Sequence, residues 1–158
     1  MLSGETSIGK YPVECVKYLK SISKRTEKFK TLEYEKELIT NSDWESIAVA
    51  ARDLSESISA DGIIAVTRTG STAGYISNAK PKDIPIYTFT NNINTLNQLS
   101  LVGSVVPFYL KRLNNHKKTL EHVRDVLKPL HRKKKLKFVM VSGIFSEKHS
   151  EAIQIINF

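Results

Sequence analysis

The sequence predicts an α/β fold of three layers, in which a mostly parallel five-stranded sheet has helices on both faces and a final antiparallel edge strand. Two observations lead to this class. Short β-rich segments alternate with segments whose apolar residues recur at helical spacing, which is typical of βαβ units with right-handed crossovers. In addition, the segments Ile63–Val66 (IIAV) and Phe138–Val141 (FVMV) are continuously apolar, which indicates strands that are covered on both faces.

Length and composition favour a folded protein of the cytoplasm. The chain has 158 residues, 41% of them hydrophobic, which is enough to bury a core and excludes a disordered chain. Cys15 is the single cysteine, so no internal disulfide can form and an intracellular location is expected. No segment approaches the roughly 18 apolar residues of a membrane span, so no membrane partner is predicted. The histidines lack the spacing of metal ligands, and no metal site is expected.

The first 40 residues are predicted to form a unit of their own. Pro12 suits the first position of a helix, and Cys15, Leu19 and Ile22 recur at spacings of three or four, which predicts an amphipathic helix. The polar, charge-alternating segment Thr31–Asn41 predicts a linker. The chain is therefore divided into residues 1–40 and residues 41–158.

Residues 41–158 are predicted to form helices and strands in alternation. Ser42 and Glu45 have capping-box spacing before an apolar stripe, which predicts a helix over Asp43–Ala60. The strand Gly62–Val66 follows, then a turn and a short helix that ends near Asn78. The later predicted elements are the strand Ile84–Phe89, a helix capped by Asn91 or Asn92, the strand Val105–Leu110 with Pro107 at an edge, a helix from Asn114 or Asn115 to near Pro129, the strand Phe138–Val141 and the antiparallel strand Ala152–Phe158.

The turn after the first predicted strand is the candidate functional site. It reads TRTGST, and its residues are Thr67, Arg68, Thr69, Gly70, Ser71 and Thr72. Because a helix start leaves backbone N–H groups unpaired and its dipole favours negative charge, a phosphate group would suit this position. The hydroxyl groups and the guanidinium are further donors. The alternative is a capped helix start in which serine and threonine have only structural roles.

A basic region provides a second hypothesis, in which nucleic acid is the partner. The formal net charge is +8, and the segment from Lys111 to Lys137 alone contains 11 Lys or Arg residues and two acids. The excess charge is therefore local and centred on His131–Lys137 (HRKKKLK). This run lacks interleaved aromatic residues and lies between a predicted helix and a short buried strand, so a solvated connector is the preferred interpretation and nucleic acid is not the expected partner.

Several segments resemble pyruvate kinase. Met1–Glu14 (MLSGETSIGKYPVE) is similar to the MLSGET and YP-x-E motifs at the end of that family's catalytic TIM barrel. Val66–Thr72 (VTRTGST), Ala79–Pro85 (AKPKDIP) and Leu99–Pro107 resemble successive segments of its C-terminal α/β domain, in the same order. The resemblance implies that residues 1–40 are the trailing loop and last helix of a barrel with a linker, and that residues 41–158 are the allosteric domain.

The resemblance also implies a function. A C-terminal pyruvate kinase domain would bind a phosphorylated metabolite effector at Thr67–Thr72 and take part in forming a homo-oligomer. The parent enzyme converts phosphoenolpyruvate and ADP to pyruvate and ATP, but its catalytic motifs lie earlier in the barrel, so this chain alone is expected to be inactive. No cofactor is expected in this chain, because the magnesium and potassium of the family belong to the barrel. The alternative is a free-standing, non-catalytic module that binds sugar phosphates or nucleotides.

Two positions depart from the pattern of the family. The family has Trp-Gly before the third strand, where this chain has Gly103 and Ser104. The family's final glycine-rich turn, which often closes over the effector phosphate, is replaced after Gly143 by the sequence Ile144–Ser150 (IFSEKHS). The resemblance therefore implies a phosphate site in which the TRTGST turn is kept and the final loop, Ile144–Ser150, is altered.

Overall fold

The computed structural model describes residues 1–26, 42–111, 116–132, 135–142 and 152–158. The chain divides into two compact units, Met1–Ile39 and Thr40–Phe158. The first unit contains helices α1 (Gly4–Ser7) and α2 (Pro12–Thr26), neither of which has a buried residue. The predicted linker, Thr31–Asn41, lies entirely within residues 27–41, outside the described residues.

The second unit contains the sheet and its helices. Its elements, in chain order, are α3 (Asp43–Ser57), β1 (Gly62–Val66), α4 (Ser71–Asn78), β2 (Ile86–Thr90), α5 (Ile93–Leu99), β3 (Val105–Tyr109), α6 (His116–Leu127) with a short 3-10 turn (Lys128–Leu130), β4 (Lys137–Ser142) and β5 (Ala152–Asn157).

The sheet confirms the predicted fold class. Its strand order is β3-β2-β1-β4-β5, with β1 parallel to both β2 and β4, and β2 parallel to β3. The last pair, β4 and β5, is antiparallel. Pro107 lies on β3, which is an edge strand, as expected for a residue that cannot donate a backbone hydrogen bond.

Two apolar clusters cover the two faces of the sheet. Successive side chains of a strand point to opposite faces, so alternate residues of β1 and β4 belong to different clusters. One cluster joins the strands to α3, α4 and α5, and it includes Ala48, Ala51, Ile63, Ala65, Ala73, Ile76, Leu99, Val139 and Val141. The other joins the strands to α6, and it includes Ile64, Val66, Phe89, Val123, Leu127, Phe138 and Met140. The strands IIAV and FVMV are thus buried on both sides, as their sequences predict.

Helix limits follow from local hydrogen bonds. Ser42 Oγ accepts a hydrogen bond from Glu45 N–H (3.3 Å), which fixes the predicted start of α3. The helix ends at Ser57 and not at Ala60 as predicted, because the backbone leaves helical geometry and Ser59 takes a φ of 50°. Asn92 caps α5 through its side-chain oxygen, which accepts from Asn94 N–H at 2.9 Å. The helix α6 begins at His116 among the described residues.

The topology creates a position where ligands commonly bind. Strands β1 and β4 are neighbours, but the chain leaves β1 toward β2 and reaches β4 only after β3 on the far side of β2. A crevice is therefore expected beyond the carboxyl ends of β1 and β4. The TRTGST turn follows β1 at this place. The residues that follow β4, including the sequence after Gly143 that departs from the family, lie outside the described residues.

Candidate functional site

The six residues of the turn divide into a buried and an exposed set. Thr67, Gly70 and Thr72 are buried. Arg68, Thr69 and Ser71 are exposed, so their side chains are accessible to a ligand from solvent. Thr67–Gly70 form the turn after β1, and Ser71 and Thr72 are the first two residues of α4, so the six predicted residues have different positions.

Thr67 and Gly70 form the frame of the turn. The Thr67 hydroxyl oxygen accepts a hydrogen bond from Gly70 N–H at 2.9 Å, and Thr67 N–H donates to the Phe89 carbonyl at 3.0 Å. Both groups that close the turn are therefore already paired. In this conformation the N–H groups of Thr67 and Gly70 shape the turn and are not offered to a ligand.

Gly70 is required at its position for two reasons. Its φ of +90° lies in the left-handed region that side chains other than glycine rarely adopt. A Cβ atom at this position would also lie 3.3 Å from Leu99 Cδ2 and 3.3 Å from Thr95 Cγ2. The glycine therefore lets the turn reverse direction while its backbone packs closely against α5.

Thr95, a residue of α5 that the sequence does not predict as part of the site, also holds the turn. Thr95 Oγ1 donates a hydrogen bond to the Arg68 carbonyl at 2.9 Å, across 27 residues of sequence. Thr95 is 5% exposed. No local sequence signal indicates this contact, because it depends on how β2 brings the start of α5 beside the end of β1.

The turn and the start of α4 contain hydrogen-bond donors that would suit an anionic ligand. Within the described part of the chain, the backbone N–H groups of Thr69, Thr72 and Ala73 have no hydrogen-bond acceptor. The last two belong to the first turn of α4, which contains no acidic residue. Exposed hydroxyl groups of Thr69 and Ser71 lie 2.9 Å from one another, and the exposed guanidinium of Arg68 adds positive charge. Such a set of donors, with a helix dipole behind it, suits a phosphate or carboxylate group.

The side of the turn toward α3 carries an aromatic pair. The Trp44 and Tyr75 rings are stacked, with centroids 6.4 Å apart and planes 10° apart. Both rings line a small apolar depression together with Thr72. Trp44 is 39% exposed and is the single tryptophan of the chain, so its fluorescence reports on this side of the site.

The opposite end of the sheet carries polar groups that are paired with each other. Tyr87 Oη and His131 Nε2 form a hydrogen bond of 3.1 Å, and Asp61 Oδ2 accepts from Lys137 N–H at 3.0 Å. Burial raises the pKa of the Tyr87 phenol, and the negative charge of Asp61 raises it further. The described residues of the HRKKKLK run lie beside these groups, before and at the start of β4, and Arg132, Lys135 and Lys137 are exposed.

Comparison with known proteins identifies the family. The model of the family described as "Pyruvate kinase, alpha/beta domain" matches residues 45–156. The chain belongs to the pyruvate kinase alpha/beta domain family. It is 34% identical over 131 residues to pyruvate kinase 2 of Synechocystis, covering 83% of this chain and 22% of that protein. It is 37% identical over 111 residues to the pyruvate kinase of Thermoplasma acidophilum, covering 70% of this chain and 20% of that protein.

A solved structure has the same fold. A crystal structure of a pyruvate kinase from Cryptosporidium parvum matches with a TM-score of 0.83 at 21% identity, over 99% of this chain and 32% of that chain. The chain thus spans about a fifth of the two pyruvate kinases matched by sequence and about a third of the one matched by structure. Among the described residues, no helix is long and apolar enough to cross a membrane, and no group of three potential metal ligands occurs.

Proposed function

We propose that this chain is the regulatory and assembly part of a pyruvate kinase, and that the turn Thr67–Thr72 binds the phosphate group of a metabolite effector. The observation that carries the proposal is the cluster of open donors at the carboxyl end of β1. Unpaired backbone N–H groups, two exposed hydroxyl groups and one exposed guanidinium follow directly after this strand, at the point where the strand order reverses.

The turn would bind phosphate through its exposed groups. The hydroxyl groups of Thr69 and Ser71 and the N–H group of Thr69 would donate to phosphate oxygens, and Arg68 would form a charge-assisted pair with the same group. The buried N–H groups of Thr72 and Ala73 would add the field of the helix start. Thr67 and Gly70 would contribute indirectly, by closing the turn. The cytoplasm is the proposed compartment, in keeping with a chain that has one cysteine.

Calorimetry with a panel of sugar bisphosphates, sugar monophosphates and nucleotides tests the proposal. We expect at least one phosphorylated compound to bind, with a change in Trp44 fluorescence, and the double substitution Thr69→Ala, Ser71→Ala to weaken binding at least tenfold. The matched control is Ser100→Ala, which removes an exposed hydroxyl group from the end of α5, where it bonds only the Leu96 carbonyl. Undiminished binding by the double variant would exclude this turn as the site.

The proposal assigns no catalysis to this chain alone. By the family resemblance, residues 1–40 would be the end of the catalytic barrel, and the magnesium and potassium of the parent reaction would belong to the rest of that barrel. The unburied apolar side of α2, which includes Tyr18, Leu19 and Ile22, is in keeping with a segment that packs against more protein. A coupled assay that detected conversion of phosphoenolpyruvate and ADP by the purified 158-residue chain would contradict this assignment.

Assembly into a homo-oligomer is the second part of the proposal, and the outer edge of the sheet supports it. The strand β5 (AIQIIN) is an edge strand without charge, proline or glycine, whereas the opposite edge strand β3 contains Pro107. An uncharged edge strand is a template for pairing with another chain. We expect Ile155→Lys, at a side chain 48% exposed on β5, to shift sedimentation toward monomer. The control is Leu101→Lys, at a side chain that is 91% exposed and lies outside β5, and this substitution should leave sedimentation unchanged.

The alternative is a free-standing, non-catalytic module that binds sugar phosphates or nucleotides. It requires the same turn, so binding alone does not separate the two functions. The discriminating observation is the sequence encoded immediately upstream of Met1 in the genome. A catalytic barrel there favours the regulatory domain, and a stop codon or an unrelated gene favours the separate module.

A further inference from the structure

We propose that Thr95 is the positioning residue of the turn, because its hydroxyl group holds the peptide between Arg68 and Thr69 in the orientation that an anion requires. This inference rests on the proposed function of the turn. It assigns a role in ligand binding to α5, an element that contributes none of the turn's own donors.

The geometry of one peptide group carries the argument. A trans peptide is planar, and its C=O and N–H bonds point in nearly opposite directions. The Arg68 carbonyl points to α5, where it accepts the 2.9 Å hydrogen bond from Thr95 Oγ1. The N–H of the same peptide, which belongs to Thr69, therefore points away from α5. Among the described residues, this N–H group has no acceptor.

Loss of the hydroxyl group would free this peptide to rotate. The Arg68 carbonyl would then gain a hydrogen bond by turning to water on the open side of the turn, since a polar group that loses its partner costs free energy until it is solvated. In that orientation the oxygen would face the anion and repel it, and the Thr69 donor would be withdrawn. The hydrogen bond from Thr95 thus prevents an arrangement that opposes binding.

Thr95 contacts the turn through both of its γ atoms. The hydroxyl group bonds Arg68, and the methyl carbon lies 3.3 Å from the position that a Cβ of Gly70 would occupy. The backbone of Thr95 is itself held, because Thr95 N–H donates to the capping oxygen of Asn92 at 3.3 Å. Threonine therefore combines a donor and a packing group at one site, and substitutions can remove them one at a time.

The test compares Thr95→Val, which keeps the methyl group and removes the donor, with Thr95→Ser, which keeps the donor and removes the methyl group. Inorganic phosphate is the probe, and its affinity is measured by NMR titration of the full chain. We expect Thr95→Val to weaken phosphate binding about 3- to 10-fold, the range that one hydrogen bond can account for. Thr95→Ser should bind like the wild type. The control is Ser77→Ala, which removes a hydroxyl-to-carbonyl hydrogen bond to Gly103 of 2.8 Å away from the turn.

A second readout uses the ligand-free protein and is independent of the proposed function. If Thr95 positions the peptide, the amide signals of Thr69 and Gly70 should shift or broaden in Thr95→Val, and they should stay in place in Thr95→Ser and Ser77→Ala. If the wild type does not bind phosphate but these signals still change as expected, positioning is supported and the proposed function is wrong. The inference would be overturned if Thr95→Val bound phosphate as tightly as the wild type, or if Thr95→Ser or Ser77→Ala weakened binding as much as Thr95→Val does. Unchanged amide signals in Thr95→Val would also overturn it.

Discussion

The two ends of the sheet contain similar polar groups, but they use their hydrogen bonds differently. At the amino end, Asp61 and Lys137 are joined by two hydrogen bonds, of 2.7 Å between backbone groups and 3.0 Å to the carboxylate. Tyr87 and His131 pair with one another at 3.1 Å. At the carboxyl end, the N–H groups of Thr69, Thr72 and Ala73 have no acceptor among the described residues. The polar groups of the amino end therefore stabilise the fold, whereas the carboxyl end has unpaired donors among the described residues, which is where we propose that a ligand binds.

The same contrast appears in the glycines of the two ends. Gly62, at the start of β1, is needed because the buried Tyr87 ring occupies the space beside it. Gly70, after β1, is needed because the backbone reverses with a positive φ. The first glycine serves packing and the second serves the shape of a site, so substitutions at the two ends should have separable effects on stability and on ligand affinity.

The largest expected effect is on stability at the amino end. A Cβ at position 62 would lie 2.6 Å from Tyr87 Cε2, so Gly62→Ala must displace a buried ring. We expect a loss of about 2–3 kcal/mol in the free energy of unfolding, as for overpacked cores, measured by urea denaturation. The control is Gly74→Ala in α4, where a Cβ meets nothing within 4 Å and the change should stabilise the helix by up to about 1 kcal/mol. Equal stability of Gly62→Ala and wild type would show that the amino end is not tightly packed.

The next effect is on affinity at the carboxyl end. Arg68→Ala should weaken phosphate binding by about 1.5–2 kcal/mol, the lower part of the range for a hydrogen bond to a charged group. It should leave the free energy of unfolding unchanged because the side chain is exposed. Arg132→Ala removes the same charge from the amino end and serves as the control. If both substitutions weakened phosphate binding equally, general positive charge and not the turn would account for the affinity.

A pH-dependent effect comes from the Tyr87–His131 pair. Tyr87→Phe removes its hydrogen bond and should cost about 1 kcal/mol near pH 8. Because the pKa of Tyr87 is raised in the folded protein above its ordinary value of 10.0, the phenol contributes its full stability below pH 10. That contribution is lost as the pH rises further, through the folded pKa. The difference in stability between wild type and Tyr87→Phe should therefore shrink above pH 10, and a difference that stayed constant or grew would contradict the raised pKa.

The smallest effect concerns a departure from the family sequence. Ser104 stands where the family resemblance implies glycine, and its φ is 61°. Its carbonyl still accepts the hydrogen bond from Ile86 N–H at 2.8 Å, so the conformation is held in place. Ser104→Gly should relieve the strain and raise the melting temperature, with a gain of about 0.5–1 kcal/mol. A lower melting temperature would mean that the serine side chain stabilises this loop.

Local patterns predicted the elements well and long-range contacts poorly. The strands IIAV and FVMV were identified because burial on both faces requires continuous apolar residues. The end of α3 was placed three residues too far, because Ile58 and Ala60 still pack against the core after the helix has ended. In the candidate site, the six residues of the turn were predicted, but the role of Thr95 was not. Its hydrogen bond joins residues 27 positions apart, and only the folded sheet brings them together.

The central claim is that the carboxyl end of the sheet binds phosphate and the amino end does not. An NMR titration of the 158-residue chain with inorganic phosphate tests it most directly, because each end has its own amide signals. We predict saturable shifts at Thr69, Thr72 and Ala73, with no change at Gly62 or Lys137. Shifts that were absent at the turn, or that were as large at the amino end, would contradict the account.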